Sequence, residues 1–280
     1  MLFNRLLGFV LLIWAFLVLS NQPTTAQQIQ QPVSITISEN LVYVPVRLSG
    51  QGPYHFMLDI SEPGLGRIDQ HIAKELGLII VGFDEITTGL QVKRAFLVGI
   101  NKLSVGQIAQ SNLKLQVGEL NPTPRQIPID GIIGRAFFDN YALTVNGPAR
   151  QLLTSANSLS PQNKTGLTYT NAFLVPGTVG SKKMVFNLTT GLNPYLLFPT
   201  SALEGVNYTT TPNQRVVTQA GTSFVLHEAI VHDEIKLGGL TLKNQTIYVS
   251  DKAHQINVGT DFLKAHTITL DQRTKFIRIE

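Results

Sequence analysis

Three blocks of this chain occur twice in the same order, and that repetition limits the possible folds more than any other feature. VPVRLSGQGPYHFMLDIS (44–61) matches VPGTVGSKKMVFNLTTG (175–191): Val-Pro, a small-residue turn, Phe, one residue, Leu, then a polar triplet. INKLSVGQIAQSNLKLQVG (100–118) matches HDEIKLGGLTLKNQTIYVS (232–250). GIIGRAFFDNYALTVNGPARQLL (131–153) matches INVGTDFLKAHTITLDQRTKFIRI (256–279). Three blocks in one order at similar spacing imply two homologous units. The units are set at 33–154 and 165–280. The join, 155–164, has the Ser/Asn/Pro composition of a linker.

Each unit reads as β-structure. Val, Ile, Thr and aromatic residues come in short alternating runs broken by Gly, Pro, Asn and Asp, as in SITIS (34–38), LVYVPVRL (41–48) and YALTVN (141–146). Only Asp69–Leu76 carries a persuasive helical pattern, with Ile72, Ala73 and Leu76 on one side and Gly77 as a stop. Strands at this density predict an all-β sandwich or barrel. At 43% hydrophobic and 14% charged, the chain has the apolar mass for real cores and is not disordered as a whole. The formal charge of +4 comes without long Lys/Arg runs, so no nucleic-acid partner is expected. Cysteine is absent, which excludes disulfides, thiolate catalysis and Cys-held metals.

Residues 1–26 read as a segment for export. Arg5 precedes an apolar stretch from Leu6 to Leu19, and Thr24 and Ala26 suit signal-peptidase cleavage. Cleavage after Ala26 would place a cysteine-free product in a bacterial periplasm or outside the cell. An uncleaved membrane anchor is the alternative and the one route to a membrane.

The repeated blocks resemble the retropepsin-like and pepsin-like aspartic peptidases. The residues that carry the resemblance are Phe56-Met57-Leu58-Asp59-Ile60-Ser61, Leu76-Gly77-Leu78 and Asp130-Gly131-Ile132-Ile133-Gly134. In the second half they are Phe186-Asn187-Leu188-Thr189-Thr190-Gly191 and Val258-Gly259-Thr260-Asp261-Phe262-Leu263. The resemblance implies two homologous β-barrel lobes with few short helices and a cleft between them. It implies one Asp per lobe sharing a proton and activating a water, and no cofactor or metal. It further implies that the Thr after each Asp reaches across to the other lobe, and that hairpins cover an extended peptide. Those hairpins would be Ile86–Arg94 and Arg215–Phe224, with tips at Gly89 and Gly221.

This chain departs from the family pattern at the triplets. The first is Asp59-Ile60-Ser61 and the second Thr189-Thr190-Gly191, so one acid is present where the family has two. A Thr hydroxyl is too weak an acid to share the Asp59 proton. The expectation is a catalytically impaired monomer that binds a peptide or unfolded segment, with Ile60, Ser61, Thr190, Gly191, Gly89 and Gly221 around the bound chain. An active endopeptidase is one rival, with Asp59 as base and a second Asp59 supplied by a homodimer. A structural domain with a filled cleft is the other.

Other candidates are weaker. His227 and His232 are one residue too far apart for a helical zinc motif, and on a strand they face opposite ways. His55, His71, His254 and His266 are scattered. Ser61 and Ser104 lack a recognisable His/Asp arrangement. Gly64-Leu65-Gly66 lacks a third glycine and a βαβ setting for nucleotide binding. The sequons at Asn163, Asn187, Asn207 and Asn244 read as coincidental in an exported bacterial protein.

Overall fold

The computed structural model describes residues 31–88, 91–160, 166–170, 173–190, 194–219 and 222–280. The candidate export segment and Gly89, Gly191 and Gly221 lie outside the described residues. Among the described residues, no helix is long and apolar enough to cross a membrane.

The architecture is all-β, in two lobes that share a base. An eight-stranded sheet forms the first lobe and a nine-stranded sheet the second. A six-stranded sheet takes three strands from each half and joins them. At its centre, strand Ala142–Asn146 runs antiparallel to Thr267–Asp271, with Thr144 opposite Thr269 and their hydroxyls 2.9 Å apart. The spacing from Thr144 to Thr269 equals that from Gly134 to Gly259, so the matched residues of the repeated block meet on the pseudo-twofold axis.

The two lobes repeat one another strand for strand. Strand Gln51–Asp59 lies parallel to Gly131–Gly134, with Phe56 opposite Gly131 and Asp59 opposite Gly134. Strand Lys182–Leu188 lies parallel to Ile256–Val258, with Phe186 opposite Ile256 and Leu188 opposite Val258. A second strand, Gly66–Asp69 or Leu196–Pro199, then pairs antiparallel with the same partner. Phe56 and Leu58, like Phe186 and Leu188, face the core and are fully buried. Their alternation sends the residues between them to the opposite face.

The helix Gln70–Glu75 falls where the sequence places it. Asp69 caps it by accepting the His71 N–H. A second short helix, Thr260–Ala265, was not expected. It follows Gly259 without a side-chain cap and is fixed by burying Thr260, Phe262 and Leu263. Packing, not local propensity, supports a helix this short.

Both expected hairpins form. Strands Ile80–Thr88 and Gln91–Val105 pair with Thr88 opposite Gln91. Strands Tyr208–Gln219 and Thr222–Val231 pair with Gln219 opposite Thr222.

Candidate functional site

Position 59 and position 189 come together where the lobes meet. Asp59 ends its strand half-buried. Thr189 follows the equivalent strand, is buried, and its backbone N–H donates to Val258 O at 3.0 Å. Ser61 stands between them. Its backbone N–H and its hydroxyl both donate to Asp59 Oδ1, at 2.9 and 2.6 Å. The same hydroxyl lies 3.5 Å from Thr189 Oγ1, at the outer limit of a hydrogen bond. A single hydroxyl thus links the carboxylate of one lobe to the hydroxyl of the other.

The backbone beneath this cluster is tied across the lobes from one side. Thr190 is fully buried. Its hydroxyl donates to Leu58 O at 2.5 Å and accepts the Ile60 N–H at 3.2 Å. Ile60, in the matching place, is also fully buried but has no polar atom to return the link. It joins the apolar core instead.

A second layer holds the two loops from below with different chemistry. In the first lobe, Arg135 Nη1 donates to Ile60 O at 3.0 Å and Ser61 O at 2.8 Å. Its guanidinium also lies 4.9 Å from the Phe173 ring centre. Burial lowers the Arg135 pKa below its ordinary value. In the second lobe, Thr260 Oγ1 donates to Thr190 O at 3.0 Å. The sequence assigned a role to neither Arg135 nor Thr260, although Thr260 lies within the block that carries the resemblance. The available signal was their place, each directly after the glycine that the repeated block shares, Gly134 and Gly259.

Gly134 has a steric reason. A Cβ there would lie 2.1 Å from Gly64 O, so only glycine lets the Asp59 loop close against this strand.

No family model matches the chain, and no curated protein sequence matches it. Solved structures do. The crystal structure of an aspartic proteinase from Irpex lacteus superposes with a TM-score of 0.52 at 13% identity, covering 89% of this chain and 96% of that one. The chain has the aspartic-peptidase fold. Agreement over nearly the full length of both chains means that both lobes, not one, share the architecture.

Within that fold the remaining sequence candidates have partners and settings of their own. His227 is exposed on strand Thr222–Val231, while His232, just past its end, contacts Thr209 and Asn244 through its ring nitrogens. His55 lies 3.8 Å from Asp130, His71 lies 3.9 Å from Glu75, and His254 is exposed. His266 packs on Phe262 and meets the Tyr195 hydroxyl at 2.6 Å, and burial lowers its pKa. Ser104 sits opposite Arg47 in a strand pair. Gly64-Leu65-Gly66 leads into a strand, and a Cβ at Gly66 would lie 1.9 Å from Ile132 O.

Proposed function

We propose that this is an exported aspartic-peptidase-like protein that holds an extended polypeptide segment between its lobes and cleaves it little or not at all. The observation that carries the reading is Thr189 facing Asp59 with the Ser61 hydroxyl between them. In an aspartic dyad two carboxylates share one proton, so one can act as base on water while the other polarises the scissile carbonyl. Here a Thr hydroxyl takes the second place. It can donate or accept a hydrogen bond, but it cannot carry the shared proton or the compensating charge.

Ser61 strengthens the reading. Asp59 Oδ1 already accepts two hydrogen bonds from Ser61, one of them short and charge-assisted. An attacking water would have to compete with that hydroxyl for the same oxygen. Removing one member of a cooperating pair costs orders of magnitude in rate. Binding of an extended chain does not need the pair. It needs walls, hydrogen-bonding groups and hairpins, which the two lobes supply.

In this reading residues 1–26 direct export to a periplasm or the cell exterior, and the protein acts as a monomer. Ser61 faces the bound segment, whereas Ile60 and Thr190, expected beside it from the sequence, are fully buried and hold the two loops beneath it.

The experiment pairs binding with turnover. Purified protein is offered labelled unfolded casein across pH 3–7, and binding and fragment release are followed together. Saturable binding without fragments is expected, in wild type and in Asp59→Ala alike. Fragment release by wild type that Asp59→Ala abolishes would establish a working peptidase and overturn the reading.

A further inference from the structure

The two walls beside the Asp59–Thr189 junction differ in chemistry. Met57 precedes Asp59 by two residues and Asn187 precedes Thr189 by two, so strand alternation places each on the same face as the residue at the junction. In the first lobe Met57 pairs with Ile132. The two belong to an apolar cluster with Leu41, Tyr43 and Ile129, and Leu120 packs on it. In the second lobe Asn187 pairs with Asn257. Asn187 Nδ2 donates to Asn257 Oδ1 at 2.9 Å. Gln255 Nε2 reaches the same oxygen at 3.4 Å, and Asn257 Nδ2 donates to Gln255 O at 3.0 Å.

The difference extends to the segments that close each wall. The first lobe has a long segment between strands Ile108–Gly118 and Gly131–Gly134, and it brings Leu120, Ile127 and Ile129 onto Met57. The second has a shorter one, between Gln245–Ser250 and Ile256–Val258, which leaves Gln255 exposed at the wall's edge. Three amide side chains therefore stand where the first lobe has an apolar patch with Met57 buried at its base and Ile132, Leu120 and Ile127 half-exposed. They are incompletely used. Asn187 Oδ1 accepts no hydrogen bond among the described residues, although Asn187 is only half-exposed. An open acceptor beside donor N–H groups matches a primary amide, which offers both in one plane.

We infer that the cleft selects a dipeptide step in its bound chain: an apolar residue against the half-exposed Ile132 and Leu120, which Met57 backs from beneath, followed or preceded by Gln or Asn against the Asn187–Asn257–Gln255 wall. An extended chain sends successive side chains to opposite sides, so two adjacent residues meet the two walls. Burying an apolar side chain against the amides would leave polar groups unpaired, and that penalty gives the discrimination. This inference rests on the peptide-binding reading above and specifies its ligand.

The test uses two fluorescein-labelled decapeptides that are identical except for a central Leu-Gln or Leu-Leu pair, with binding read by anisotropy. Wild type should prefer Leu-Gln by about 10-fold, the discrimination expected from one unmatched polar contact. Asn187→Leu with Asn257→Ile should reverse the preference. Gln255→Ala, at an exposed position that leaves folding alone, should reduce it by about 3-fold. Equal binding of both peptides by wild type, or a preference unchanged in the folded variants, overturns the amide assignment while leaving peptide binding intact. Failure of every peptide to bind overturns the peptide-binding reading itself.

Discussion

The first lobe and the second have the same backbone plan and different chemistry at matching places. Phe56 and Phe186 are interchangeable in role, since each is fully buried at the centre of its sheet. Thr144 and Thr269 are interchangeable too, because they face each other on the pseudo-twofold axis. Asp59 and Thr189, Ile60 and Thr190, Arg135 and Thr260, and Met57 and Asn187 are not. The positions that build the fold have kept their character in both copies. The positions around the cleft have each gone their own way. Because packing depends on shape and volume, it constrains both lobes equally. Packing places no such constraint on the junction, and under the proposed function a single bound chain would meet each lobe with a different side chain.

The largest effect should test the shared part. Phe56→Ala and Phe186→Ala should each destabilise the protein by about 3–5 kcal/mol, as truncated core aromatics do. Urea titration should give similar losses for the two. A large loss for one and a small loss for the other would break the equivalence of the lobes.

The next effect should expose the difference in the supporting layer. Arg135→Met removes a buried cation that holds two carbonyls, and should cost about 3 kcal/mol. Thr260→Val removes one neutral hydrogen bond, and should cost about 1 kcal/mol. Equal losses in the same titration would mean that the charge on Arg135 contributes nothing.

A smaller effect sharpens the one-sided link between the loops. Thr190→Val forfeits the bonds to Leu58 and Ile60 and should cost about 2 kcal/mol. Ile60→Val removes only a methylene and should cost about 1 kcal/mol. A larger loss at Ile60 would show that packing, not the Thr190 hydroxyl, joins the loops.

The smallest effect concerns pH. Burial alone would raise the Asp271 pKa. Hydrogen bonds from Arg273 and the Leu159 N–H, with the Arg273 charge, outweigh burial and hold the pKa below its ordinary value. A carboxyl depressed in the folded state contributes stability above its unfolded pKa, near ~4, and loses that contribution as pH falls through the folded value. Tm should therefore drop between pH 6 and pH 3, and drop less in Asp271→Asn. An identical drop in the variant would remove Asp271 from the account. Because Arg273 also donates to Ala156 O and Asn157 O, this pair anchors the segment joining the lobes.

Much of this was legible in the sequence, for reasons that particular residues make clear. Phe56 and Leu58, and Phe186 and Leu188, share the spacing Phe-x-Leu ahead of a polar triplet in both halves, so strand and core face could be read directly. The glycines at 134 and 259 fixed the alignment of the halves, and that alignment placed Asp59 opposite Thr189. The six-stranded shared sheet was not legible, because Ala142–Asn146 and Thr267–Asp271 are ordinary strands whose pairing depends on the dyad. The helix Thr260–Ala265 is too short for periodicity to register. The Arg135 and Asn257 contacts depend on which carbonyls and amides the fold brings near, and no spacing rule encodes that.

The most direct measurement is hydrolysis of unfolded casein between pH 3 and pH 7 by Thr189→Asp/Ile60→Thr/Ser61→Gly, beside wild type and the same variant with Asp59→Ala. The restored pair should cleave at least ~100-fold faster than wild type, and Asp59→Ala should abolish that gain. A folded triple variant that stays inert would contradict the claim that positions 59 and 189 form one site with an acid on only one side.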